Sequence, residues 1–204
     1  MTSAPSLVVI GAGGHAKVVV ATAQAAGFNV TGIVDDDPSR WDLTILGVRT
    51  RGPVAATLAD PNTTCVLAIG DNATRMKLAA SARCKFATIV HPSAVLHSSV
   101  HLGPGTVVFA GAVIQPDTKI GANGIVNTGA SIDHDCQIGD GVHVAPGARL
   151  AGGITLGDQV FVGIGAVIIP GIVVGARTTI GAGAAVVNDL PADVIAVGVP
   201  ARAR

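Results

Sequence analysis

Three short stretches of this sequence carry side chains suited to chemistry. In Asp133-His134-Asp135 an imidazole lies between two carboxylates. A carboxylate on one ring nitrogen orients the ring and steadies its cation, and the other nitrogen is left to take a proton, so the triplet suits a general base held by Asp135 or Asp133. Gly11-x-Gly13-x-x-Ala16 is a glycine-rich turn before a helix, whose bare backbone N–H groups suit a phosphate. Asp35 and Asp36 follow about 20 residues on, where carboxylates accept from a ribose or a base. Gly13, Gly14, His15, Asp35 and Asp36 are therefore the expected nucleotide contacts. The three cysteines, Cys65, Cys84 and Cys136, have neither metal spacing nor an even disulfide framework. With no three-histidine or histidine–carboxylate cluster beside them, no metal is expected.

A repeat must position these groups. From Leu96 to Val186 every sixth residue is Leu, Ile or Val, sixteen in succession without a slip. The residue two before each is mostly small or β-branched, and strand residues two apart share a face, so both sets can point inward. Glycine follows the aliphatic residue at 103, 121, 139, 157 and 175, an interval of eighteen. Six residues make one flat side and three sides one coil, which is the hexapeptide grammar of a parallel β-helix. About five coils at ~4.8 Å per strand give a prism roughly 25 Å tall. Residues eighteen apart then stack, so Gly152 lies one strand from His134. Its N–H can face a developing oxyanion while His134 faces a nucleophile, the layout of acyl transfer. Cys136 falls in an inward small-residue slot and reads as packing. His143, nine residues from His134, points elsewhere. Its column, Val107, Ile125, His143 and Phe161, is an outward and mostly apolar stripe that is expected to meet another subunit.

Residues 1–90 follow another grammar. Leu7 to Ile10, Asn29 to Val34 and Val66 to Gly70 read as strands, and Lys17 to Ala26 and Asn72 to Arg83 as helices. Strands alternating with helices predict a small Rossmann-like parallel sheet. Three strands supply one mononucleotide-binding half, which suits a nucleotide diphosphate better than the NAD that the glycine fingerprint alone would suggest. The expected division is an α/β domain over 1–90 and a β-helix with a C-terminal tail over 91–204. Thirteen basic residues balance thirteen acidic ones, against the basic surplus of a nucleic-acid binder. Val160 to Ala176 is uncharged, but Gly163, Gly165, Pro170, Gly171 and Gly175 interrupt it and it continues the repeat, so no membrane span is expected. No charged-then-apolar leader opens the chain, and the expected compartment is the cytoplasm.

Gly13-Gly14-His15, Asp35-Asp36, His91-Pro92-Ser93-Ala94, Asn127 to Cys136, His143 to Gly147 and the closing Gly198-Val199-Pro200-Ala201 together resemble the bacterial nucleotide-sugar acetyltransferases. These are the bacillosamine- and perosamine-type N-acetyltransferases with their sialic-acid O-acetyltransferase relatives. The resemblance implies a left-handed β-helix, a homotrimer, and acetyl-CoA held as co-substrate between adjacent prisms. It makes His134 the general base, with Asp135 where the family often has Glu, and sets His143 at the thioester. It further implies a cofactor groove along His143, Gly152, Ile164 and Gly181, and a nucleotide sugar clasped by the N-terminal domain. The function implied is acetylation of the amine of a UDP-linked 4-amino-4,6-dideoxy sugar by direct attack, with no covalent enzyme intermediate. Sugar O-acetylation is the nearest alternative. A non-catalytic nucleotide-binding β-helix is a more distant one, and His134 with Gly152 argues against it.

Overall fold

The computed structural model describes residues 4–204. Near-continuous apolar runs make buried parallel strands when helices cover both faces of a sheet. β1 (Ser6–Ile10), β2 (Asn29–Val34), β3 (Thr44–Ile45), β4 (Val48–Arg51), β5 (Thr64–Leu67) and β6 (Lys85–Phe86) form one sheet in the order β3-β4-β2-β1-β5-β6. Alternate side chains of β1 and β5 sort to opposite sides. Val9 and Val66 pack with α1 (Gly14–Ala25), whereas Ile10 and Leu67 pack with α2 (Val54–Ala59) and α3 (Asn72–Ser81). The sheet is wider than the three strands read from sequence. β3 and β4 form a hairpin whose two turn residues, Leu46 and Gly47, both have positive φ, the geometry of a tight two-residue turn. β3 and β6, of two residues each, are too short to announce themselves by pattern.

From Ile89 the chain winds into a left-handed triangular prism of parallel two-residue strands. Its first face stacks Ile89–Val90, Val107–Val108, Ile125–Val126, His143–Val144, Phe161–Val162, Thr179–Ile180 and Ile195–Val197. The second face runs from Val95–Leu96 to Ala185–Val186, and the third from His101–Leu102 to Val173–Val174. Partners are eighteen residues apart, as in Val107 with Ile125 and Ser131 with Arg149, until the last rung, where Thr179 pairs with Ile195 at sixteen. The repeat thus begins one hexad before Leu96, at Val90, and the join is itself the first rung. The aliphatic sixth residues and their small neighbours fill the prism, and Cys136 is sealed among them. Among the described residues no helix is long and apolar enough to cross a membrane.

The apolar stripe of the first face is not left for another subunit. Ile89, Val107, Phe109 and Ile125 share one core with Leu7, Ala16, Val19 and Val20, so the chain's own α1 covers it. A helix with apolar residues on both its sheet side and its outer side needs two partners, and the prism supplies the second. Burial of this kind makes one large-to-small change informative. Ile132→Ala, in the fully buried column, should cost about 2–5 kcal/mol in denaturant unfolding, while Lys119→Ala on the exposed third face should stay within about 0.5 kcal/mol.

Candidate active site

The corners of the prism set the geometry of the first candidate group. From Gly105 to Gly183 the third residue past each inward aliphatic turns through positive φ, and where most of these corners use glycine, Asp135 sits at 59°. This left-handed turn brings the Asp135 carboxylate back onto the ring of its neighbour, and Asp135 Oδ2 lies 2.8 Å from His134 Nδ1. Because a carboxylate only accepts, Nδ1 carries the proton and Nε2 carries the lone pair. Asp133 does not hold the ring: its Oδ1 accepts the His134 backbone N–H at 2.8 Å. The Asp135 hydrogen bond, with the charges of Asp133 and Asp135 behind it, raises the His134 pKa above the ordinary histidine value. The ring is exposed, at the edge between the second and third faces.

Directly beneath the ring is Gly152. A Cβ there would sit 2.6 Å from both Cε1 and Nε2 of His134, so only glycine lets the imidazole lie against the next rung. The Gly152 N–H has no partner among the described residues, while its carbonyl accepts from Gly171. An unprotonated ring nitrogen and an unspent N–H therefore stand on adjacent rungs.

The second cluster lies on the other side of the prism, where the carboxyl ends of the sheet strands face the first face. Sheet order reverses between β1 and β5, and the crevice at such a switch point is the usual ligand position in α/β sheets. The turn after β1 leads into α1 with Gly13 as an N-cap that has no side-chain bond and no acid in the first turn. The N–H groups of Gly13, Gly14 and His15 have no acceptors among the described residues, whereas Ala12 donates to Asp35 Oδ2 at 2.7 Å. Three free donors at a helix start suit an anion. Arg40, which the sequence reading passed over, reaches the same turn. Its Nη1 is 3.2 Å from Asp35 Oδ2 and lies beside Gly13.

Several expected contacts are already spent. Both Asp35 oxygens are bonded, Oδ2 to Ala12 and Arg40 and Oδ1 to the Asp37 N–H, so this residue shapes the glycine turn. Asp36 Oδ1 caps α2 through the Val54 N–H, leaving only its second oxygen. Gly181 is covered by the chain's own C-terminal strand: a Cβ there would meet Val197 at 2.7 Å, and its N–H donates to Ala196. Ile164 is exposed, at the edge between the first and second faces, across the second face from His134.

His143 occupies the seam between sheet and prism, 8 % exposed. Its Nδ1 faces the Gly70 carbonyl at 3.3 Å, and Nε2 faces Asn127 Nδ2 at 3.1 Å. The His15 ring is 6.1 Å away, and Phe109 and Phe161 meet the two histidines edge-on. Burial, with the Arg75 charge second, pushes both His15 and His143 down to about 4. His15 Nε2 is buried without a partner and faces this seam. Above His143, a cavity of about 350 Å³ opens between Gly70–Ala73 and the prism residues Gln159, Phe161, Arg177 and Thr179. Arg75 and Asn72, at the start of α3, build the seam's wall. Sequence reading missed them, although their i, i+3 spacing after Gly70-Asp71 puts both on one side of the helix.

Two sets of histidines thus titrate in opposite directions. By NMR, His134 should titrate above the ordinary histidine range and move down in Asp135→Asn, while His15 and His143 should stay neutral until about pH 4. The sign for stability follows. The buried pair have folded pKa values below their unfolded ones, so the unfolded chain binds more protons as pH falls. Denaturant stability should be full above the ordinary histidine pKa and decline on acidification towards about pH 4, with less decline in His15→Phe.

Residues 6–82 match the PglD N-terminal domain family. Comparison with curated proteins gives no match. Among solved structures, PerB from Caulobacter crescentus, in complex with CoA and GDP-perosamine, is 44 % identical over 98 % of this chain and 97 % of that one, with a TM-score of 0.90. The acetyltransferase domain of PglB from Neisseria gonorrhoeae, in complex with acetyl coenzyme A, is 33 % identical over 98 % and 100 %, TM-score 0.89. WeeI from Acinetobacter baumannii is 27 % identical over 97 % and 99 %, TM-score 0.84.

Proposed function

Because the chain belongs to the nucleotide-sugar acetyltransferases of the hexapeptide-repeat superfamily, and is an acyltransferase, we propose that it transfers the acetyl group of acetyl-CoA to the amine of a nucleotide-linked amino sugar. The observation that carries this reading is His134 against Gly152, a proton acceptor one rung from an unspent N–H donor. The amine attacks the thioester carbon as His134 Nε2 takes its proton. Asp135 stabilises the imidazolium, and the Gly152 N–H meets the developing oxyanion. Collapse of that intermediate expels the CoA thiolate, which the proton on His134 can neutralise. No covalent enzyme intermediate enters.

In this reading residues 1–90 hold the nucleotide sugar, with the free N–H groups of Gly13 and Gly14 on the diphosphate and Arg40 beside them. Residues 91–204 hold acetyl-CoA. The sequence does not choose between uridine, thymidine and guanosine carriers, and the family resemblance suggested UDP. The 44 % identical enzyme is solved with GDP-perosamine, which favours a GDP-linked amino sugar as a second reading. Variants of that enzyme with a histidine replaced by Asn or Ala are solved with CoA and GDP-perosamine both bound, as expected where a histidine serves the reaction rather than binding.

A homotrimer with shared sites is part of the proposal. The first face is occupied by the chain's own α/β unit, and the third presents His101, Lys119, Gln137 and Thr155. The second face exposes Val95 and Val167 with Arg149 between them, and Ile169 and Val187 at its edge, a surface suited to two further copies. His134 lies at one edge of that face and Ile164 at the other, so packing through it brings His134 of one copy towards the seam of the next. The protein is placed in the cytoplasm, where its co-substrates would be available.

Thiol release from acetyl-CoA should be seen with GDP- or UDP-linked amino sugars and not with the corresponding hydroxy sugars. His134→Ala should lower kcat by about 10²–10⁴ with acetyl-CoA binding retained. Unchanged turnover in that variant would exclude His134 as the base. Sedimentation should give three times the 20.1 kDa chain mass, and an active monomer would exclude the shared site.

A further inference from the structure

Arg75 is the largest side chain sealed inside the molecule, 1 % exposed, and nothing in the acyl-transfer steps above uses it. A buried guanidinium usually has a carboxylate against it. Among the described residues none forms an ion pair with Arg75, and its donors go to backbone carbonyls and one side-chain amide. Nε donates to Asn123 O at 2.9 Å and Nη2 to Gly141 O at 2.7 Å, both on the prism. Nη1 donates to Ile69 O at 2.9 Å and Gly70 O at 3.3 Å, in the loop after β5, and Nη2 also reaches Asn72 Oδ1 at 2.8 Å. Asn72 then donates to Gln159 O at 2.9 Å. Asn123, Gly141 and Gln159 are eighteen apart, three successive rungs of one corner. The start of α3 is therefore fastened to a single column of the prism.

The chain of bonds continues to His143. The Gly70 carbonyl that Arg75 holds can only accept, so His143 Nδ1 is the protonated nitrogen. Nε2 is then bare and accepts from Asn127 Nδ2. The orientation of that amide is itself settled, since Asn127 Oδ1 accepts the Thr128 N–H at 2.8 Å.

We propose that Arg75 is a positioning residue for the acyl transfer: by fixing the Gly70 carbonyl to the prism it holds His143 as the Nδ1–H tautomer, with Nε2 an acceptor only. This rests on the acyl-transfer reading above and on the place at the thioester that the family resemblance implies for His143. An acceptor-only Nε2 cannot donate to a thioester oxygen, so that donation falls to a backbone N–H such as that of Gly152. Arginine suits the task because its planar fork spans carbonyls in two directions. A lysine ammonium, a single point of donation, reaches only one side.

Long-range ¹H–¹⁵N spectra of the histidine-labelled protein, with His143 identified from His143→Gln, read the tautomer directly. The wild type should show His143 protonated at Nδ1 and bare at Nε2. Arg75→Met should show a mixture of tautomers at His143. Its kcat should fall about tenfold or more with a smaller change in KM for acetyl-CoA, and Arg75→Lys should fall between. A wild type protonated at Nε2 would overturn the proposal, as would a folded Arg75→Met that keeps both the wild-type tautomer and kcat. Should Arg75→Met not fold, the wild-type tautomer and Arg75→Lys decide. Absence of turnover with every nucleotide sugar, with the expected tautomer present, would count against the acyl-transfer reading. Turnover with the other tautomer would count against Arg75's role alone.

Discussion

A coil that must close every eighteen residues fixes where each outward side chain can go. The parallel ladder admits no slip, since a shift by one residue would turn the aliphatic column out to water. Each corner therefore recurs at the same height step, and from Gly105 to Gly183 its third residue is held in the left-handed region. Two consequences follow at His134. The turn returns the Asp135 carboxylate to the ring, and the next rung supplies Gly152 beneath it. The same eighteen-residue column gives α3 its three anchor points at Asn123, Gly141 and Gln159. One constraint thus builds both the exposed basic histidine and the clamp at the buried seam.

The two histidine environments are complementary. His134 is solvated and paired with a carboxylate, so its cation is favoured as a proton arrives. His143 and His15 are enclosed near a guanidinium, so their neutral forms are favoured. A chain that placed both kinds of imidazole on one edge would have to reconcile opposite demands on dielectric and charge. The prism separates them, on an edge and on the face away from it.

Much of this was legible in the sequence because it depends on period. The prism, the stacking of Gly152 on His134 and the burial of Cys136 follow from a six-residue step that nothing interrupts. The tertiary partners were less legible. The Val107–Phe161 stripe read as a subunit contact because an outward apolar column says only that something covers it, and here Val107 and Ile125 are covered by α1 of the same chain. Asp35 and Asp36 read as ligands by spacing, and spacing does not show that Asp35 also holds the Ala12 N–H and Asp36 the Val54 N–H. Arg75 was silent altogether, since a lone cation in a helix normally reads as surface and only the docked prism supplies its carbonyls.

The proposed shared site requires that His134 of one chain work with His143 of another, because the prism sets them apart within a chain. Subunit complementation tests it most directly. His134→Ala and His143→Ala, each inactive alone, would be unfolded together and reassembled. A symmetric ring with sites between chains should regain on the order of a quarter of wild-type activity, since mixed rings rebuild one intact site. No recovery above the separate variants, in mixtures shown to contain hybrid trimers, would contradict it.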